Sequence, residues 1–118
     1  MEHKISTEIF KKAEKYIPGG VNSPVRAFKS VNREAPIFAC KGKGARIWDE
    51  DGNEYIDYIC SWGPLILGHN PENVINGVRE AIEMGSSFGL PTKMEVELAE
   101  LITKCCPSIE KVRLTTSG

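Results

Sequence analysis

A single arginine in a loop rich in glycine and proline is the first candidate for chemistry in this sequence. Arg26 lies near the end of residues 18–28, PGGVNSPVRAF, between apolar neighbours. The two glycines permit backbone angles that other residues avoid, and Pro24 fixes its own φ and favours an extended conformation at Ser23. A guanidinium on such a semi-rigid loop is suited to bind a small carboxylate through two parallel hydrogen bonds. The alternative is a surface loop whose arginine pairs with a nearby Asp or Glu.

A second loop, residues 61–71, places a large aromatic ring at a corner of the backbone. Trp62 is followed directly by Gly63 and Pro64. Such a ring forms either the wall of a ligand pocket or a plug for the core, and both interpretations stay open here. His69 lies just before a predicted helix, and by itself it indicates a hydrogen-bonding structural residue rather than a catalyst.

The end of the sequence is the third candidate. Residues 112–115 predict a buried strand, and Ser117 and Gly118 follow it. A buried strand followed by Ser-Gly begins an anion-binding loop in many α/β proteins, where the N-terminus of the next helix completes the site. The chain provides the start of that pattern, without the helix.

The four cysteines do not indicate a metal site. Cys40, Cys60, Cys105 and Cys106 show no C-x-x-C spacing and no nearby cluster of histidines. Cys40 and Cys60 fall in strand-like runs, which predicts small core residues. The adjacent pair at 105–106 has either a redox role or none.

The overall composition is typical of a globular domain with a modest core. The chain has 118 residues, of which 41% are hydrophobic and 26% charged, and its formal net charge is −1. That charge gives no electrostatic case for binding nucleic acid or an anionic membrane. No apolar run approaches the length that spans a membrane, and the N-terminus lacks the apolar core of a signal peptide, which predicts a cytoplasmic protein.

The elements that must position these candidates are three helices and a three-stranded antiparallel meander. We predict a first helix capped by Ser6, strands within residues 37–41, 45–49 and 54–60, and a hairpin turn at Asp51-Gly52. Asn70 and Pro71 should begin the second helix, and a capping box of Thr92 and Glu95 the third. The predicted apolar stripes comprise Ile9, Phe10, Ala13, Tyr16 and Ile17; Val74, Ile75, Val78, Ala81 and Ile82; and Met94, Leu98, Leu101, Ile102 and Cys105.

Six stretches of the sequence carry a resemblance to known proteins: residues 18–28, 48–58 (WDEDGNEYIDY), 61–64 (SWGP), 68–69 (GH), 87–91 (SFGLP) and 112–118 (VRLTTSG). Together they resemble the glutamate-1-semialdehyde 2,1-aminomutase family, which belongs to the class-III aminotransferases. The loop with Val-Asn-Ser-Pro-Val-Arg and the Trp-Gly-Pro corner are the stretches most specific to the aminomutase. One departure is Thr116, where the family usually has asparagine before Ser-Gly, and it leaves the hydrogen bonding of that loop open.

The resemblance implies a pyridoxal-phosphate (PLP) enzyme of the α/β aspartate-aminotransferase-like fold, with an α+β arrangement in this part of it. It implies that Ser23, Val25, Arg26 and Trp62 bind substrate. It also implies that Ser117 and Gly118 begin the cradle for the cofactor phosphate. The implied parent is a homodimer that converts glutamate-1-semialdehyde to 5-aminolevulinate, the tetrapyrrole precursor. The implied divisions are an N-terminal helix and substrate-side loop at 1–36, small-domain elements at 37–107 and the start of the large cofactor domain at 108–118.

No catalytic residue is assigned within these residues, because the family's cofactor-binding lysine lies beyond the matching stretches. We therefore expect the 118 residues alone to be inactive and only marginally folded, with residues 112–115 left as an unpaired strand. Two other interpretations stay open. One is another class-III aminotransferase, and the other is a stand-alone interaction module derived from such an enzyme.

Overall fold

The computed structural model describes residues 1–116, which contain three α-helices and one antiparallel sheet. The strands pair in the order β1-β2-β3, with Gly42 opposite Ile47 and Ile47 opposite Tyr55. The predicted meander and the mixed helix-and-sheet fold are therefore confirmed. The elements are α1 (Lys4–Ala13), β1 (Ala39–Lys43), β2 (Arg46–Asp49), β3 (Glu54–Ile56), α2 (Glu72–Glu83) and α3 (Lys93–Cys105).

The chain divides into two compact units, Met1–Val78 and Arg79–Gly118. The first unit holds the sheet. Its most buried side chains are the polar Ser6 and Asp49, followed by the apolar Ala27 and Phe10. A centre made partly of polar side chains needs hydrogen-bond partners for each buried group. None of the helices described in residues 1–116 is both long and apolar enough to cross a membrane.

The start of α1 is capped by a residue from the hairpin turn, and the prediction that Ser6 caps it was wrong. Ser6 lies inside the helix and is fully buried. Asp51 instead accepts hydrogen bonds from the backbone of Ile5 at 2.7 Å and of Ser6 at 2.9 Å, and from the Ser6 hydroxyl at 2.6 Å. A carboxylate there satisfies orphan amides at the positive end of the helix. The cap therefore also fastens α1 to the β2–β3 turn.

We expect Asp51→Asn to loosen α1 while leaving the hairpin in place. The asparagine suits the turn as well as aspartate does, but it offers one carbonyl oxygen where two carboxylate oxygens now accept three hydrogen bonds. Amide hydrogen exchange should therefore speed up at Ile5 and Ser6 and stay unchanged across the β2–β3 pairing. The variant Glu50→Gln, one position before and exposed, serves as the control. Equal exchange in Asp51→Asn and the native chain would show that the cap is dispensable.

The third strand is shorter than the pattern predicts. β3 ends at Ile56 rather than at Cys60, and Tyr58, which lies beyond the strand, is 88% exposed. The cause is local, because the Asp57 carboxylate accepts from the backbone of Ile59 at 2.8 Å and so turns the chain out of the sheet.

The predicted core positions of the cysteines were also wrong. Cys40 is exposed although it lies in β1, and Cys60 is half-buried in the turn after β3. Cys105 and Cys106 are exposed free thiols. In residues 1–116 no cysteine forms a disulfide, and none of the four has a fully buried side chain.

The third helix begins where the sequence predicts, whereas α2 begins at Glu72, one residue after the predicted start at Pro71. The apolar faces of both helices are accessible. The capping box of Thr92 and Glu95 is present at the start of α3. The Pro71 carbonyl accepts the backbone N–H of Ile75 as α2 begins, and the Asn70 amide donates to the Gly42 carbonyl at 2.8 Å. No residue of α2 or α3 is buried, so the predicted burial of the α3 stripe was wrong. Nothing within residues 1–116 removes those faces from solvent.

Residues 112–115 form no strand, in contrast to the prediction. A strand needs a neighbour to accept its backbone hydrogen bonds, and the described sheet ends at β1 and β3 without taking up this segment. Ser117 and Gly118 lie outside the described residues.

Candidate functional site

Three of the four predicted substrate-binding residues line one groove. Val25, Arg26 and Trp62 enclose a space of about 330 Å³, which we call the Arg26 groove. Ser23 is not among its lining residues. It precedes the groove in an extended conformation, φ −144° and ψ 126°, as Pro24 predicts. The remaining lining residues are Phe28, Ser30, Val31 and Ile59.

The Arg26 side of the groove is a short 3-10 turn, Pro24–Ala27. The Ser23 carbonyl accepts the backbone N–H of Arg26 at 2.9 Å, and Ala27 is 4% exposed. The buried methyl group anchors the turn while its neighbour Arg26 remains exposed. Within residues 1–116 the Arg26 guanidinium forms no ion pair, so the alternative of an arginine satisfied by a nearby Asp or Glu does not hold there.

The opposite wall comes from an unusual turn after β3. Cys60, Ser61 and Trp62 have φ values of 50°, 52° and 66°, and Phe28 across the groove has a φ of 59°. Left-handed conformations of residues other than glycine cost about 1–3 kcal/mol each and persist where the surroundings enforce them. They concentrate at ligand sites. The Trp62 ring is 66% exposed, so it forms a wall of the groove and is not a plug for the core.

The turn that bears Trp62 is held by Asp57 and His69. The His69 ring donates from Nε2 to Asp57 Oδ2 at 2.7 Å, and Asp57 Oδ1 accepts from the backbone of Ile59 and Cys60 at 2.8 and 3.2 Å. The hydrogen bond from His69, aided by that from Ile59, lowers the pKa of Asp57. The structural role predicted for His69 is confirmed by this contact.

A buried carboxylate supports the hairpin of β2 and β3. Asp49 is 1% exposed and accepts from the Tyr55 hydroxyl and the Asn53 backbone, both at 2.7 Å, and from Asn53 Nδ2 at 3.0 Å. Burial alone would raise the pKa of Asp49, but these hydrogen bonds outweigh it and lower the pKa. Burial and the same hydrogen bond raise the pKa of Tyr55 to about 12.

His3, Asp49 and Asp51 place potential metal ligands within 4.8 Å of one another. All four carboxylate oxygens already accept hydrogen bonds from Ile5, Ser6, Asn53 or Tyr55. Nδ1 of His3 lies 3.6 Å from Asp49 Oδ2. The cluster therefore connects α1 to the hairpin, and its oxygens are committed to that connection.

We expect the first unit to lose stability in acid, because three of its aspartates accept hydrogen bonds as charged carboxylates. The pKa values of Asp49, Asp51 and Asp57 all lie below the ordinary 3.8, since hydrogen bonds favour the charged form. Their contribution is complete above pH 3.8 and disappears as the pH falls through the lowered values. Urea unfolding at about pH 5 and about pH 3 should show a drop in the free energy of unfolding.

The variant Asp49→Asn tests this assignment, because it removes one of the three titrating groups. Its free energy of unfolding should be lower at about pH 5 and should depend less on pH than that of the native chain. A native chain equally stable at both pH values would contradict the prediction.

Sequence analysis missed the roles of two aspartates, Asp51 and Asp57. Asp51 contacts Ser6 over 45 positions, and no local pattern announces that contact. Asp57 could have been predicted from a local pattern. Its side chain accepts hydrogen bonds from the backbone two and three positions later, at Ile59 and Cys60, and such bonds are typical of turns that begin with aspartate. The strand pattern around Ile56 obscured it.

Comparison with known proteins agrees with the resemblance of the motifs. The family described as aminotransferase class-III matches residues 28–118. The glutamate-1-semialdehyde 2,1-aminomutase of Fusobacterium nucleatum is 74% identical over 118 residues, which is all of this chain and 27% of that protein. The enzyme of the same name from Syntrophomonas wolfei is 58% identical over the same shares.

A solved structure described as a transaminase with PLP bound superimposes with a TM-score of 0.89 at 36% identity, covering 100% of this chain and 27% of that one. The chain thus spans about a quarter of the length of the relatives it matches. The fold, the family match and the identity over the whole chain agree, and the chain belongs to the class-III aminotransferase family.

Proposed function

We propose that this chain forms the substrate side of a glutamate-1-semialdehyde 2,1-aminomutase, which moves an amino group within its substrate to give 5-aminolevulinate. The observation that carries the proposal is the Arg26 groove, in which Val25, Arg26 and Trp62 come together. These three were assigned to the substrate from the sequence, and Trp62 lies 37 and 36 positions after Val25 and Arg26 along the chain.

In this proposal Arg26 binds the substrate carboxylate. Its planar fork matches the two carboxylate oxygens, and no partner within residues 1–116 competes for it. Trp62, Ile59 and Val31 provide apolar walls beside the guanidinium. Ser30 is the lining residue of the groove that bears a hydroxyl, and it offers a hydrogen bond to a polar group of the substrate. Ser23 would act by holding the turn, through its carbonyl.

The described residues do not by themselves form a site for PLP. Arg26 is the charged residue that lines the Arg26 groove, and no lysine lines it. Ser117 and Gly118, which the resemblance assigns to the cofactor phosphate, lie outside the described residues. PLP as the cofactor of the whole protein rests on the family and on the PLP-bound transaminase. We assign this chain the positioning of substrate and no step of the cofactor's chemistry.

The identity of the relatives favours the aminomutase over another class-III aminotransferase. Curated aminomutases reach 74% identity, whereas the PLP-bound transaminase is 36% identical at the same coverage. The proposal also includes the homodimer, the small-molecule amino-aldehyde substrate and the cytoplasmic location that the resemblance implies.

The proposal is tested in a hybrid protein in which residues 1–118 replace the matching segment of the Fusobacterium nucleatum aminomutase. We expect the hybrid to form 5-aminolevulinate from glutamate-1-semialdehyde, with the native relative as the positive control. The 118 residues alone, with PLP added, are expected to form none. A hybrid that folds and binds PLP but makes no product would reject the proposed function.

A further inference from the structure

We propose that Asp57 and His69 are positioning residues for the Arg26 groove, because their contact fixes the left-handed turn that holds Trp62 on its wall. The effect of the two residues on the position of Trp62 does not depend on which reaction the protein catalyses. Their expected effect on kinetics rests on the proposed function. The inference begins from the three consecutive positive φ values at Cys60, Ser61 and Trp62. Such a backbone needs contacts from outside the turn to keep it in place.

The Asp57 carboxylate provides the first of these contacts. One of its oxygens accepts from the two backbone amides that open the turn, at Ile59 and Cys60. The turn then closes on itself, since the backbone N–H of Trp62 donates to the Ile59 carbonyl at 3.0 Å and that of Gly63 donates to the Cys60 carbonyl at 3.0 Å. The direction of the Trp62 side chain therefore depends on where the Asp57 carboxylate lies.

His69 fixes the other oxygen of Asp57 and connects it to the sheet. Its ring donates to Asp57 Oδ2 at 2.7 Å, while its backbone exchanges two 2.8 Å hydrogen bonds with Gly44. The ring also packs against Gly42 so closely that a Cβ there would lie 2.6 Å from it. The imidazole is thus held by β1 on one side and holds Asp57 on the other.

Asp57 and His69 act on the Arg26 groove from outside it. Within residues 1–116, the group of side chains close enough to share a metal ion comprises His3, Asp49 and Asp51, and does not include this pair. Asp57 and His69 line a separate cavity of about 310 Å³, and they are absent from the lining of the Arg26 groove. They reach the groove through the backbone of the turn, by way of Ile59 and Trp62.

The test follows Trp62 directly by fluorine NMR of the hybrid protein labelled with 5-fluorotryptophan. Residues 1–118 contain two tryptophans, and the resonances lost in Trp48→Phe and in Trp62→Phe assign them. In Asp57→Ala and His69→Ala we expect the Trp62 resonance to move to the position of an unfolded chain, while the Trp48 resonance stays in place. Asp57→Asn and His69→Gln keep a hydrogen-bonding group at each position and should restore the native spectrum.

Tyr55→Phe is the matched control, because it removes the hydrogen bond to Asp49 in the same hairpin without touching the turn. It should leave the Trp62 resonance unmoved. Three results would each overturn the inference. The Trp62 resonance could keep its native position in Asp57→Ala, it could move as far in Tyr55→Phe, or it could fail to return in Asp57→Asn.

In the hybrid protein, Asp57→Ala should lower kcat/KM by roughly tenfold or more, since a misplaced wall displaces the bound substrate, and Asp57→Asn should recover most of that loss. Tyr55→Phe should change it little. An inactive native hybrid would reject the proposed function while leaving the fluorine result to decide the inference. An active hybrid with unchanged kinetics in Asp57→Ala would overturn the inference alone.

Discussion

Replacing Arg26 with lysine in the hybrid protein is expected to raise the Michaelis constant for glutamate-1-semialdehyde about 10- to 100-fold. Lysine keeps the positive charge but loses the planar fork that binds both carboxylate oxygens. Losing a hydrogen bond to a charged group costs about 1.5–3 kcal/mol, and each 1.4 kcal/mol corresponds to about a tenfold change in affinity. Because the carboxylate takes no part in the amino transfer, kcat should change little.

Arg33→Lys provides the matched control. Arg33 lies 5.9 Å from the centroid of the Phe28 ring and is not among the residues that line the Arg26 groove. Its substitution should leave the Michaelis constant within about twofold of the native value, because lysine keeps a positive charge beside the Phe28 ring. The absorbance of bound PLP should be the same in both variants. An Arg26→Lys hybrid with native kinetics would show that Arg26 does not bind substrate.

Replacing Gly20 with alanine is expected to be the most destabilising single change near the groove. Gly20 has a φ of +73°, and a Cβ there would lie 2.5 Å from Cε2 of the buried Phe10 ring. The left-handed backbone costs about 1–2 kcal/mol for a residue with a Cβ, and overpacking adds about 1–3 kcal/mol. The combined loss is comparable to a large part of a small domain's stability, so the midpoint of urea unfolding should fall steeply.

The neighbouring glycine separates the two causes. Gly19 has nearly the same φ, +71°, but no atom lies within 4 Å of a Cβ built there. Gly19→Ala should therefore show only the backbone cost, about 1–2 kcal/mol. Phe10→Leu should partly rescue Gly20→Ala by making room for the methyl group, and it should not rescue Gly19→Ala. Equal losses in the two alanine variants, with no rescue, would contradict the packing argument.

Several features of this chain were determined by neighbouring residues and were predicted from sequence alone. The extended backbone at Ser23 follows from the proline after it, and the start of α3 follows from the spacing of Thr92 and Glu95. The hairpin at Asp51-Gly52 follows from a glycine that accepts a φ of +81°. Each depends on interactions within about four residues, which a local pattern records.

Burial was the least predictable property, because it depends on what lies against an element rather than on its own pattern. The stripe of α3 has the periodicity of a packed helix, yet Met94, Leu98 and Leu101 are 60%, 43% and 57% exposed. Residues 112–115 have the composition of a strand, but within the described chain no neighbouring strand pairs with them. Hydrophobic periodicity indicates which face of a helix can be buried. That face becomes buried only where a second surface packs against it.

The sequence by itself determined the family and the meander, and it singled out Val25, Arg26 and Trp62 among the residues that line the groove, because motifs and short-range turn chemistry carry that information. Only the tertiary structure decided that Arg26 and Trp62 face one groove, that Asp51 caps a helix 45 positions away, and that Asp57 and His69 hold the turn between them. These contacts join residues whose spacing along the chain follows no period. They form because a buried or strained polar group must find its hydrogen-bond partner wherever the folded chain brings one within reach.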